Sequence, residues 1–282
     1  KNAEAEAAVV IREEAETSIE LAVNIKQVEQ DHRDERVGKD EASTSAKIVD
    51  LEERLREEGL QDPDKIKIYT ELAEVHERIH DYGKARSALQ EAVKLKENID
   101  LEEKIAELYV QDVDDALSEH PNDEALEKRK WKTVVDQYLP LAEKTPMGKP
   151  KIHLRYGEGL YELGKLEGNS DYLDEAITVL QKVSTSENEE LFTREILLGR
   201  CFMEKEYFEL SEDYFSDMLK QWEGKGDEGK LKTIHYVLGQ VQRQLGKKKE
   251  ALRSFFAVYQ KDSGFLDVKK LVDELHGELK ES

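Results

Sequence analysis

The 282-residue sequence is short of cysteine, proline, glycine and aromatics: one Cys, five Pro, 16 Gly and an aromatic share of 7%. A single thiol, Cys201, excludes an intramolecular disulfide framework and any multi-cysteine zinc site, and it suits a reducing compartment, so a cytoplasmic location is expected. No stretch approaches the roughly 18 consecutive apolar residues that span a bilayer, so direct membrane insertion is not expected. A basic-then-apolar leader is also absent, although a chain that opens on Lys1 rather than Met says little about targeting. Cations are scarce too: 43 Lys and Arg stand against 64 Asp and Glu, a formal charge of −21. Nucleic acids and anionic lipids attract basic surfaces by releasing counterions, and no basic patch is visible, so nucleic acid is not an expected partner.

What the sequence does have is charge. Charged residues make up 38% and hydrophobic residues only 38%, which suits a thin, all-helical chain with much solvated surface rather than one deep core. Residues 3–30 place Ala8, Ile11, Ala15, Ala22 and Ile25 at helical steps, an amphipathic helix. Residues 31–46 are polar and charged with no apolar period, as in a linker. The chain is therefore divided into an N-terminal helix with its charged linker, 1–46, and a helical body, 47–282. The first helix has two readings, a cap on the open end of that body or an arm that associates with another chain. A second helix runs through Ile48, Leu51 and Leu55 and stops near Gly59. From there helical segments alternate with short Gly, Pro, Asp or Asn breaks, and no segment shows sustained strand alternation.

The body repeats. In residues 66–99, Tyr69, Leu72, Ala73, His76, Tyr82, Ala85, Leu89 and Ala92 hold the fourth, seventh, eighth, eleventh, seventeenth, twentieth, twenty-fourth and twenty-seventh places of a helix-turn-helix unit. This pattern resembles the tetratricopeptide repeat. Small residues at the eighth and twentieth places let two antiparallel helices approach closely, and large ones elsewhere fill the gap. Gly199, Phe202, Ser211 and Phe215 repeat the frame over 192–222, and Gly239, Ala251, Phe255 and Val258 over 232–262. Another copy, 150–184, has Tyr156, Gly157, Leu160, Ala176, Leu180 and Val183, with seven more residues between Gly157 and Ala176 than lie between Ala73 and Ala85. That surplus is expected in a turn enlarged around residues 167–173. Residues 100–147 form an irregular helical pair outside the frame, and Leu266, Val268, Leu271, Val272 and Leu275 mark a closing helix over 264–280. The resemblance implies an all-α solenoid of antiparallel helix pairs, a right-handed superhelix with an N-terminal amphipathic helix and a C-terminal cap.

One motif resembles catalytic chemistry. His76-Glu77-Arg78-Ile79-His80 spells H-E-x-x-H, in which two imidazoles on one helical face bind zinc and the Glu is general base. The repeat frame accounts for both histidines without metal: His76 takes a packing place and His80 the turn place, where the helix should end. Arg86 stands where the longer zinc pattern needs a third histidine. No metal or cofactor is therefore expected, and Cys201 reads as a small buried filler rather than a nucleophile.

In solenoids of the resembled family the first helix of each pair lines a concave groove. Carried over by place, the first copy presents Lys67, Thr70, Glu74, Glu77 and Arg78, the next Lys151, Leu154, Glu158, Tyr161 and Glu162, the third Thr193, Ile196, Arg200, Met203 and Glu204, and the fourth Thr233, Tyr236, Gln240, Arg243 and Gln244; the expected contacts are Glu74, Arg78, Glu158, Tyr161, Arg200, Met203, Tyr236, Gln240 and Arg243. The groove should be acidic toward the first copies and apolar to basic toward the last two. The implied function is a noncatalytic scaffold that binds a partner protein or peptide there. The competing reading is a structural subunit of a larger assembly that associates through its ends and convex face; a zinc hydrolase is the remote one.

Overall fold

The computed structural model describes residues 43–145 and 149–280; the helix and most of the linker expected over 1–46 lie outside them. Among the described residues there are helices and turns and no strand. They divide into two compact units, one up to Glu97 and the other from Asn98 onward. The first holds α1 (residues 43–55), α2 (Asp62–Arg78) and α3 (Tyr82–Leu95). The second holds α4 (Ile99–Glu119), α5 (Glu124–Lys144), α6 (Pro150–Glu167), α7 (Ser170–Lys182), α8 (Asn188–Glu204), α9 (Phe208–Glu223), α10 (Glu228–Gln244), α11 (Lys248–Lys261) and α12 (Val268–Lys280). Consecutive helices pack on one another as pairs.

The pairs share a turn. At the fifteenth place His80, Glu206 and Gly246 adopt left-handed backbone, φ 57°, 59° and 70°. The following N–H donates to the carbonyl of the eleventh place: Asp81 to His76, Tyr207 to Phe202 and Lys247 to Gln242, each at 2.9 Å. This is the helix-ending motif in which a left-handed residue lets the chain fold back and satisfy an otherwise orphaned carbonyl. Asp81 then caps α3 by accepting from the Lys84 N–H at 3.1 Å.

The pairs also share a packing rule. A Cβ at Gly199 would lie 2.4 Å from Phe215 Cζ, one at Gly239 2.8 Å from Phe255 Cε1, and one at Gly157 2.7 Å from Leu180 Cδ2. Eighth-place glycine is thus the socket for the large side chain of the twenty-fourth place, and Phe215, Phe255 and Leu180 are fully buried. Ser211, at the twentieth place, donates its hydroxyl to the Gly199 carbonyl at 2.9 Å, so the one polar residue at this crossing is satisfied.

The surplus in the 150–184 copy is not an enlarged turn. Helix α6 continues to Glu167, α7 begins at Ser170, and Gly168 makes the turn with φ 61°. Both helices are longer instead, because the added turns make a second close crossing: a Cβ at Gly164 would lie 3.0 Å from Leu173 Cδ2. The closing helix begins at Val268; Leu266 precedes it, 68% exposed with φ 48°, and belongs to the connector. Val268, Leu271 and Leu275 are buried, as the expected helical stripe requires.

Candidate functional site

The zinc motif is divided by the fold. Helix α2 ends at Arg78 and the chain turns at His80, so the two imidazoles do not project from one helical face. His76 is buried, with its pKa lowered by desolvation, and His80 Nδ1 lies 2.9 Å from the Tyr82 hydroxyl. No group of three or more metal-ligating side chains occurs among the described residues. Cys201 is fully buried and its thiol is pushed up to about 12, chiefly by burial and then by Glu204, the condition of an inert filler.

In the second unit, α6, α8 and α10 place the expected groove residues along neighbouring helices. Arg200 on α8 stands between the other two: its charge acts on the hydroxyls of Tyr161 on α6 and Tyr236 on α10 and on the Glu204 carboxylate. It is half-buried and makes no ion pair among the described residues. Met203 and Gln240 are half-buried beside it in sequence frame. Burial holds Glu204 above the usual carboxylate range, with Lys165 opposing, Glu162 adding and Arg200 opposing.

Other expected groove residues are already occupied. Tyr161 and Tyr236 are only 3% and 8% exposed, and Tyr236 donates to Asp267 at 2.5 Å while meeting Phe255 and Phe265 edge-on. Both rings pack within the unit rather than standing open as anchors. Arg243, expected as a groove cation, donates to Glu274 of α12 at 3.0 Å, with Glu278 at 3.8 Å, so it fastens the closing helix. Glu158 pairs with Arg155 at 2.6 Å. Glu74 and Arg78 are exposed on α2, in the other unit.

One opening lies partly outside the repeat frame. Two depressions of about 480 and 450 Å³ share Glu103, Glu107 and Lys151 and form one trough between α4 and α6. Asp100, Glu103, Glu107 and Asp114 make its acidic wall, and Lys151 and Arg155 line the opposite side. Tyr138 of α5 and Val110 of α4 contribute buried apolar surface, and Gln111 Oε1 is buried without a hydrogen-bond partner among the described residues. Some wall charges are spoken for: Asp114 pairs with Lys130 at 2.7 Å, Lys104 with Glu107 at 3.5 Å, and Asp100 with Lys149. Glu103 and Lys151 make no ion pair among the described residues. Burial, then Glu107, raises the Glu103 pKa, with Lys151 opposing. The Tyr138 hydroxyl is pushed up to about 12, mainly by burial and by Glu107. Lys151 has a groove place in the sequence frame; Glu103, Glu107, Tyr138 and Arg155 do not, because residues 100–147 have no repeat places and Arg155 holds no groove place in its own copy.

These features define a class, a protein of antiparallel helix pairs joined by a repeated left-handed turn. Residues 66–99 match the family model described as "Tetratricopeptide repeat". That unit is therefore a tetratricopeptide repeat, and the α8/α9 and α10/α11 pairs keep its turn and its packing rule. Similar solved structures include a thermophilic TPR protein of Thermus thermophilus (15% identity, TM-score 0.45, covering 76% of this chain and 98% of that one). Others are YrrB, a TPR protein with an unusual peptide-binding site (16%, 0.47, 75% and 90%), and the assembly chaperone of RpL4 (14%, 0.44, 86% and 92%). No curated protein matches. The fold is of a kind that suggests a scaffold for protein–protein interaction, and among the described residues no helix is long and apolar enough to cross a membrane.

Proposed function

We propose that the protein is a noncatalytic scaffold that holds a segment of a partner protein along the face formed by α4, α6, α8 and α10. The observation that carries this reading is the α4–α6 trough, where Glu103 and Lys151, neither in an ion pair among the described residues, face each other across open space and burial weighs on the carboxylate. Burial and the neighbouring Glu107 disfavour this carboxylate, and a ligand cation that pairs with it recovers part of that energy on binding. The occupant is therefore a peptide segment with a cation for Glu103 and Glu107, an anion for Lys151, and a second acidic group for Arg200. The rim charges set orientation and on-rate. A cytoplasmic location agrees with a single cysteine, which leaves no intramolecular disulfide to form.

The test is affinity capture from the cell that makes the protein, followed by mass spectrometry, with wild type beside the double variant Glu103→Lys, Arg200→Glu. The expected result is loss of the wild-type partners with the helical circular dichroism unchanged. Equal recovery by both proteins would remove the reading.

A further inference from the structure

The second unit buries Tyr138, Tyr156, Tyr161 and Tyr236, and a buried phenol ordinarily finds a partner for its hydroxyl. Tyr156 donates to Glu175 at 2.6 Å, Tyr236 donates to Asp267 at 2.5 Å, and the Tyr138 hydroxyl has the Arg155 guanidinium beside it. The half-buried Tyr214 follows the same rule by donating to Glu195. Tyr161 departs from it. Its side chain is 3% exposed, yet its hydroxyl makes no hydrogen bond among the described residues. Nor is that hydroxyl sealed off from solvent, unlike Gln111 Oε1 or Trp222 Nε1. The ring is held in the core while its polar tip stays within reach.

Charge surrounds that tip. Arg200 acts on it most strongly among the charged groups, ahead of Glu204 and Glu162. Glu162 is engaged by Lys165 at 2.8 Å, and Asp267 by the Tyr236 hydroxyl. Arg200 and Glu204 stand one turn apart on α8, and neither makes an ion pair among the described residues. A guanidinium and a phenol hydroxyl, both donors without an acceptor, together fit one oxyanion. At Tyr156, Tyr214 and Tyr236 the acceptor of the hydroxyl is a carboxylate in every case. A phosphate would bring close to two negative charges beside Glu204, whereas a carboxylate brings one.

We propose that Tyr161 and Arg200 together receive the carboxylate of a glutamate or aspartate side chain of the bound segment, with the Tyr161 hydroxyl selecting that group. The inference rests on the reading of the α4, α6, α8 and α10 face as the binding face; it adds the identity of the acidic group and the residue that recognises it. The carboxylate belongs to a side chain rather than a chain end, because α10 continues the face beyond Arg200 and a segment lying along it passes the guanidinium.

The test titrates the full chain with alanine pentapeptides blocked at both ends and carrying glutamate, glutamine or phosphoserine at the centre. A further probe has the glutamine sequence with a free terminal carboxylate. Calorimetry should place the glutamate peptide about tenfold or more above the glutamine peptide, with phosphoserine and the free chain end below glutamate. Tyr161→Phe should remove most of that preference and leave the urea midpoint unchanged, since the hydroxyl makes no bond within the described chain. Equal binding of glutamate and glutamine, tighter binding of phosphoserine or of the chain end, or a preference that survives Tyr161→Phe would each overturn the proposal. So would no binding by any peptide, or a loss of stability in Tyr161→Phe. Glu103→Lys acts in the trough and should leave the glutamate peptide's affinity unaltered; a tenfold change would put the peptide in the trough and count against the site. Cellular capture that depends on Glu103, with no carboxylate preference in the peptides, removes this site and keeps the binding face. A carboxylate preference with capture indifferent to Glu103 does the reverse.

Discussion

The α8/α9 and α10/α11 pairs and the α4/α5 pair solve the same packing problem differently. In the regular pairs a glycine of one helix receives a phenylalanine of the other, Gly199 with Phe215 and Gly239 with Phe255, and a left-handed residue closes the turn. Residues 99–145 contain no glycine. Helices α4 and α5, of 21 residues each, bring Ala106 and Val110 into one buried cluster with Val134, Tyr138 and Leu141, and ion pairs at its edge add to this, Lys130 to Asp114 at 2.7 Å and Lys144 to Glu102 at 2.6 Å. Asp123 ends their connection by accepting from the Ala125 and Leu126 N–H groups. The close approach is supplied from outside the pair: a Cβ at Gly159 of α6 would lie 2.7 Å from Val134 Cγ1 of α5. The two kinds of pair therefore divide the labour. Where the repeat is kept, the space between helices is filled; where it is abandoned, α4 stands off α6 and the trough opens.

The sharpest way to break this comparison is at the glycine sockets. Phe215→Ala should destabilise by about 3–5 kcal/mol through the cavity it leaves. Gly199→Ala should cost about 1–3 kcal/mol by overpacking, since the ring has no space to retreat. The combination Gly199→Ala, Phe215→Leu copies the Ala73 and Leu89 of the first repeat and should cost less than the two single effects added. Gly277→Ala is the control, because nothing lies within 4 Å of its would-be Cβ and it sits inside α12. There the same substitution should stabilise by about 0.5–1 kcal/mol. Urea unfolding measures all four.

Charge reversal contrasts the same regions in function. Glu103→Lys with Glu107→Lys should reduce partner capture about tenfold while the unfolding free energy moves by about 0.5 kcal/mol or less. Glu209→Lys with Asp213→Lys, both exposed on α9 of a regular pair, should leave capture unchanged.

Acid sensitivity is expected from both units. Burial lowers the pKa of His76 on α2 and of His235 on α10 below the ordinary histidine value of 6.5. Each is neutral in the folded chain and binds a proton more readily when unfolded, so stability is full above 6.5 and falls as pH drops below it. The raised carboxyls of Glu103 and Glu204 contribute in the opposite sense at lower pH, where their protonation removes a desolvated charge. Chemical unfolding between about pH 7 and pH 5 should show the loss. His76→Phe, which borrows the Phe202 solution of the same repeat place, should reduce it to the share of His235.

The turns offer a gain of the same order as Gly277→Ala. Glu206 holds the left-handed place that Gly246 holds in the next repeat, so Glu206→Gly should stabilise by about 1 kcal/mol. His80→Gly should gain less, because it gives up the contact with the Tyr82 hydroxyl.

How much of this is legible in the sequence depends on the repeat. The eighth-place glycines and their large partners can be read directly, since packing fixes both residue size and spacing, and the turn at His80 follows from the same frame. The two extended helices of the 150–184 copy cannot, because Gly164 against Leu173 is a contact outside the frame. Tyr161 and Tyr236 belong to a groove by place, yet a place gives a direction only if the neighbouring helices keep standard spacing, and here their surfaces are covered. Arg243 belongs to it in the same way; Glu274 and Glu278 of the closing helix, which engage it, lie outside any repeat. The trough requires α4 and α6 side chains to be brought together by a pair with no recurring signal. The absence of glycine from 99–145, with Pro121 in the connection and Pro140 inside α5, is what separates this region in sequence from the regular pairs.

The most direct test of the central claim is position-specific photo-cross-linking in the native cell. A photoactivatable residue is placed at Lys151 in the trough, at Arg200 beyond it, or at the exposed Thr178 on α7. Cross-links from 151 and 200 to one shared partner protein, with none from 178, are the predicted result. A partner captured from 178 and absent from 151 and 200 would contradict the account.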